Sequence, residues 1–191
     1  NSEDGYGFVT DIAIKAFAAK GIHAVYKNIP FKRAIYGIKH GEYDGLLAIS
    51  KGARKAFIYP TETFGVFQNA FFTRESDNWQ WKGSTEELEN VTLGFINGYD
   101  FGDDKYLMNY IKANNGNTQR LQMVSGNNAL IQNIKKLQSK RIDVFIDDQR
   151  VVWYTAQKMG LNNVVIASPD VGGTKRANTY AKMLETEMVI C

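Results

Sequence analysis

Helix-like and strand-like segments alternate along nearly the whole chain. That alternation limits the fold more than any single motif does, because strands that alternate with crossover helices build a mainly parallel sheet flanked by helices. In residues 9–20, Val9, Ile12, Ala13, Ala16, Phe17 and Ala19 fall mostly on one stripe and Gly21 supplies a terminator, which predicts a helix. The alternation of 23–29 predicts a strand. Pro30 opens a second helix over 31–40, ended by Gly41, and 43–50 reads as a short apolar strand. Residues 64–73 (FGVFQNAFFT) are extended and aromatic. Residues 76–85, polar with Trp79, Trp81 and Gly83, have the composition of a connector before a short helical turn at 85–89.

A second rhythm follows: strand 91–96, a glycine-containing turn at 97–102, helix 103–113, strand 119–124, helix 127–140, strand 143–146, helix 149–159 closed by Gly160, and strand 163–167. Residues 172–179 have no period, and 180–191 read as a short helix running into a short strand. Two similar α/β halves are therefore expected.

Composition narrows the function classes. A chain of 191 residues, 44% hydrophobic and 13% aromatic, suffices for one sizeable core or two small lobes. The 23 basic and 20 acidic side chains are dispersed, giving a net charge of +3 without the basic block that nucleic-acid binding requires. No run of residues is apolar enough to span a membrane. Cys191, the single cysteine, excludes an internal disulfide and a cysteine-based metal site. The two histidines, His23 and His40, lack metal-ligand spacing, and neither GxxxxGK[ST] nor GxGxxG stands at a strand-to-helix turn. No metal, cofactor or catalytic set is expected.

Seven features stand in a particular order and spacing: GFVTD at 7–11, PFKRA at 30–34, GEYDG at 41–45, Arg54, Pro60, GFINGYDFG at 94–102 and RIDVFIDD at 141–148. In that arrangement the chain resembles extracellular solute-binding protein family 3, the amino-acid receptors of bacterial ABC importers, over most of its length. The resemblance implies a two-lobed, type II periplasmic-binding-protein-like α/β fold. Each lobe would be a mainly parallel sheet flanked by helices, joined by a two-strand hinge that includes 67–73. The expected lobes are 1–69 with 168–191, and 70–167. Family members carry a first strand ending in a Trp-Pro-Pro-Tyr-like segment and a longer C-terminal stretch. Neither is present here, so the sequence is expected to be an incomplete or renumbered copy.

A cleft for a small zwitterion needs a cation for its carboxylate, a carboxylate for its ammonium and an apolar or aromatic wall. By the resemblance, Arg54 matches the arginine that grips the ligand carboxylate. A solvated loop residue beside Lys51 and Lys55 is the alternative. Asp148 matches the ammonium-binding aspartate, and capping of the helix that begins at Gln149 is its alternative, so that one of Asp147 and Asp148 caps while the other binds. Gly98 and Tyr99, with Asn97, lie in a strand-to-helix turn whose backbone N–H groups suit an anionic ligand group, unless the turn is an ordinary one. Phe8 and Phe31 start helices, Phe31 where this branch usually has Trp. They line the pocket or pack the core, and Ser50 at the end of strand 43–50 joins the set. Residues 125–128 are expected to cap a helix, and Asp44 and Asp143 to hold loop N–H groups.

The implied function is capture of a small polar solute, an amino acid or similar, by a monomeric periplasmic receptor made with a signal peptide and serving a membrane permease. An extracellular sensor domain of a membrane kinase and a cyclohexadienyl-dehydratase-like enzyme are the alternatives.

Overall fold

The computed structural model describes residues 6–51, 55–99, 101, 105–161 and the backbone of 164–167. The chain divides into two compact units, 1–66 and 67–191. Arg54 and the segment from 168 to 191, with its expected return to the first lobe, lie outside the described residues.

The first unit contains helices α1 (Phe8–Ala18) and α2 (Phe31–Lys39). Pro30 is the N-cap of α2, and its carbonyl accepts the N–H groups of Arg33 and Ala34 at 2.9 and 3.0 Å. His40 closes the helix, its Nδ1 2.8 Å from the Tyr36 carbonyl and its ring stacked on Tyr36. Gly37 is a position of close approach, since a Cβ there would run into the Tyr43 ring.

The strands expected at 23–29 and 43–50 do not form among the described residues. The alternation that suggested the first is present as burial, with Ala24 and Tyr26 half-buried between exposed His23, Val25 and Lys27. A strand, however, exists only through a hydrogen-bonded neighbour, and this segment joins no ladder among the described residues. In the second segment Ala48, at φ 57°, takes a left-handed conformation that interrupts any extended run.

Every expected element of the second rhythm is present. The second unit contains β1 (Asn69–Arg74), a 3-10 turn (Thr85–Leu88), β2 (Leu93–Ile96), α3 (Lys105–Ala113), β3 (Leu121–Val124), α4 (Ala129–Gln138), β4 (Val144–Asp148), α5 (Gln149–Lys158) and β5 (Val164–Ala167). The five strands form one sheet in the order β3-β2-β4-β1-β5. The pairs β2–β3 and β2–β4 are parallel, whereas β1 runs antiparallel to both β4 and β5. The sheet is thus mixed rather than mainly parallel, because the segment expected as a crossover, 67–73, is itself inserted as the antiparallel strand β1.

Period-2 alternation sorts the core onto two faces. Phe71, Leu93, Phe95, Val144 and Ile146 pack with Leu88 and with Leu107 and Ile111 of α3. On the opposite face Phe72 and Phe145 pack with Ile134 and Leu137 of α4 and Val152 of α5. Phe72 and Phe145 are register partners, fully buried and stacked at 5.1 Å. Gly94 leaves room on this face: a Cβ would lie 2.5 Å from Ile142 Cδ1 and 3.0 Å from Asn133 Oδ1.

The stretch read as a connector is folded onto the α3 face. Trp79 and Trp81 sit 5.5 and 4.5 Å from the Phe71 ring, and Trp79 Nε1 donates to the Glu87 carbonyl at 2.9 Å. A capping box of Ser84 and Glu87 fixes the turn that follows. At the opposite end of the sheet Asp143 holds a loop N–H as expected, accepting Thr92 N at 2.9 Å with Oδ2. Its Oδ1 takes Arg74 Nη2 at 3.1 Å, while Arg74 Nη1 donates to the carbonyls of Leu137 and Ile142.

Truncating Phe145 to Ala should cost about 3–5 kcal/mol. Phe8→Ala, at a side chain 60% exposed, should stay within about 0.5 kcal/mol. Urea denaturation of the two variants measures both.

Candidate functional site

The connections between β2, β3 and β4 create a topological switch point. From β2 the chain passes through α3 on one face to β3 on one side. It then returns through α4 on the other face to β4 on the far side of β2. The carboxyl ends of β2 and β4, where the path reverses and the two crossover helices part, are where open α/β sheets accept ligands. This edge carries Asn97, Gly98 and Tyr99 after β2, and Asp147 and Asp148 at the end of β4. Because β1 is antiparallel, its amino end, with Gln68, lies at the same edge.

Asp148 is fully engaged. As N-cap of α5 it accepts Arg150 N at 3.0 Å and Val151 N at 3.4 Å with Oδ1. Its Oδ2 accepts Gln68 N at 2.9 Å and lies 3.4 Å from Arg150 Nη2. The capping alternative for this residue is the one the structure supplies, with the start of β1 fastened to the same carboxylate.

Asp147 is as buried as its neighbour but far less engaged. It is 4% exposed, its Oδ1 accepts only Asp148 N at 2.8 Å, and its Oδ2 has no hydrogen-bond partner among the described residues. Burial raises the carboxyl to about 7, opposed by the Asp148 N–H and reinforced by the Asp148 charge. Tyr99 shares this environment: burial pushes its hydroxyl upward and the Asp147 charge adds to the shift.

The turn after β2 is more occupied than its sequence implied. Asn97 N donates to the Val124 carbonyl at the end of β3 and Tyr99 N to the Ile96 carbonyl within the turn, so two of the three N–H groups considered for an anion are already engaged. Gly98 adopts φ 90° within it, and the Tyr99 ring packs against Ile96, Val124 and Ala129. Asn128 stands at the start of α4 without a side-chain capping bond, so the capping expected there is not made by that residue.

Gly98, Tyr99 and Asp148 are thus brought to one edge of the second unit. Phe8, Phe31 and Ser50 belong to the first: Phe8 is exposed at the start of α1, outside any core, and Phe31 and Ser50 are half-buried. Asp147 is the residue whose isolation the sequence did not reveal. Its signal was the doublet itself, since one N-cap position cannot occupy two aspartates. Among the described residues no group of His, Cys, Asp or Glu side chains could hold a metal ion, and no helix is long and apolar enough to cross a membrane.

Solved structures share this fold. An ancestral arginine-binding protein bound to arginine superposes with a TM-score of 0.66 at 18% identity, over 97% of this chain and 84% of that one. A truncated, arginine-bound ArgBP from T. maritima gives 0.63 at 18% identity over 87% and 74%. The fold is periplasmic-binding-protein-like. A histidine kinase sensor domain with similarity to periplasmic binding proteins also matches, at 0.63 and 16% identity over 87% and 69%. No family model matches the sequence. Among curated proteins, 38 residues are 63% identical to a ribose-phosphate pyrophosphokinase from Porphyromonas gingivalis. The match covers 20% of this chain and 12% of that enzyme, too little to show a family.

The isolated carboxyl has a measurable consequence. A carboxyl raised from its usual 3.8 to about 7 binds its proton more tightly in the folded chain than in the unfolded one. Its contribution to stability is greatest below the usual value, falls between about pH 4 and 7, and is flat above. Urea midpoints at about pH 5 and pH 8 should therefore show a decline in the wild type that Asp147→Asn reduces.

Proposed function

We propose that this chain is an extracytoplasmic receptor that captures a small polar solute, an amino acid or similar, between two hinge-closing lobes for delivery to an ABC importer. The similarity of its fold, over 97% of the chain, to a protein solved with arginine bound carries this reading. The switch point at the β2 and β4 carboxyl ends supports it, because the fold offers a ligand position there independently of any motif. In this reading Arg54 takes the solute carboxylate through paired hydrogen bonds, and one of the two acids ending β4, Asp147 or Asp148, takes its ammonium. Tyr99 and Gly98, with Phe8, Phe31 and Ser50, form the wall.

The similarity to a kinase sensor domain favours a second reading, in which the same capture drives a signal. The two share their binding step and differ in what the chain is attached to. Sequencing through the complete gene separates them: transmembrane and kinase sequence downstream means a sensor.

L-Arginine, L-lysine, L-glutamine, L-histidine and L-glutamate should be screened by thermal shift. At a hundredfold excess over Kd, binding adds about 2.7 kcal/mol and should raise Tm by about 5 °C or more. Arg54→Ala should abolish the rise. Absence of a shift with every solute, or a full shift in Arg54→Ala, contradicts the corresponding part of the reading.

A further inference from the structure

The dipeptide Asn-Gly occurs twice in the chain, at Asn97–Gly98 and Asn115–Gly116. An asparagine before glycine is open to attack on its side-chain amide by the next backbone nitrogen, because glycine has no Cβ to hinder the approach. Both pairs stand at the centre of a turn closed by a hydrogen bond across it: Tyr99 N donates to the Ile96 carbonyl at 3.1 Å, and Asn117 N to the Asn114 carbonyl at 2.9 Å. Both glycines have positive φ, 90° and 89°. Sequence and local geometry rank the two pairs alike, and their surroundings separate them.

The first turn is built into the core. Asn97 is half-buried, and its N–H donates to the Val124 carbonyl at 2.9 Å, which ties the turn to the end of β3. Tyr99 packs against Ile96, Val124 and Ala129. Swinging the Gly98 nitrogen onto Asn97 Cγ moves the backbone between these two anchors, so the reaction must wait for local opening.

The second turn joins α3 to β3, at the edge of the sheet opposite the switch point. Residues 115–119 are all exposed. Among the described residues neither the Asn115 side chain nor the Gly116 N–H, the attacking group, makes a hydrogen bond. A Cβ on Gly116 would meet nothing within 4 Å, so the space beside the pair is open. Asn114, by contrast, precedes another asparagine, and its Nδ2 donates to the Tyr110 carbonyl at 2.9 Å.

We propose that Asn115 is a site of spontaneous covalent modification in the folded chain, converting to an aspartyl or isoaspartyl residue, and that the fold spares Asn97. The Gly116 nitrogen loses its proton and attacks Asn115 Cγ. The new C–N bond closes a succinimide ring, the Cγ–Nδ2 bond breaks, and the amide nitrogen takes up a proton and leaves as ammonia. Water then opens the ring: cleavage at Cγ gives the aspartyl form, and cleavage at the backbone carbonyl gives the isoaspartyl form. The net change is one water consumed and one ammonia released, with no redox step. The product places a negative charge beyond the carboxyl end of α3, where the helix dipole disfavours it, and leaves the switch-point edge chemically unaltered.

The whole chain is incubated at pH 8, folded and in unfolding urea, then digested with trypsin. Fragments 83–105 and 113–120 carry the two pairs separately, and tandem mass spectrometry distinguishes Asn115 from Asn114 and Asn117. In the folded chain, exchange of amide for acid at Asn115 should run at least about tenfold faster than at Asn97, and urea should bring the two rates together. Ion exchange should show the same acidic form accumulating in the wild type and absent from Asn115→Gln. Equal rates at the two sites in the folded chain, or an Asn115 that stays intact, overturns the proposal.

Discussion

β4 is the strand on which the second unit depends. It pairs in parallel with β2 on one side and antiparallel with β1 on the other, so it joins the halves of a mixed sheet that would otherwise share no hydrogen bonds. All five of its residues are buried. Val144 and Ile146 enter the core under α3, and Phe145 enters the core under α4 and α5. Its entry is secured as well: Asp143 holds the start of β2 through Thr92 N and is gripped by Arg74 from the end of β1. Such a strand cannot slip by one residue without moving hydrophobic side chains from one core into the other.

The same position sets where the sheet has its switch point. A strand flanked by parallel β2 on one side, with the preceding crossovers on opposite faces, ends at the switch point of the sheet. Helix α5 starts immediately after β4, and its first backbone N–H groups need an acceptor. Asp148 meets that need and fastens Gln68 at the amino end of β1. Rigidity at the switch point therefore comes from the element that also builds the core.

Much of the second unit was legible because its signals were local. Apolar stripes at helical spacing, short β-rich runs and Gly160 after α5 each act within a few residues, and each expected element formed. The first unit shows where local signals fail: 23–29 has strand-like alternation, yet a strand is a relation between two segments and the sequence of one cannot supply the other. The antiparallel placing of β1 was hidden for the same reason. Trp79 and Trp81 were misleading in another way, since polar residues and Gly83 around them look like a linker while the indoles themselves cover Phe71. The strand end and the turn after β2 were legible as positions, as was the expectation that one aspartate of the doublet caps α5, but which of Asp147 and Asp148 does so was not.

That division follows from the pleat. Adjacent residues on a strand project to opposite faces, so a doublet that is uniform in sequence meets two environments. Asp148, at the last position of β4, reaches the helix start and collects donors that exist whether or not a solute is present. Asp147 follows Phe145 on the face under α4 and α5, where Asn133 and Trp153 also carry buried polar atoms without a hydrogen-bond partner among the described residues. Replacing Asp147 with a hydrophobic residue would remove an unfavourable buried group and add apolar burial, so packing alone gives no reason for a carboxyl there.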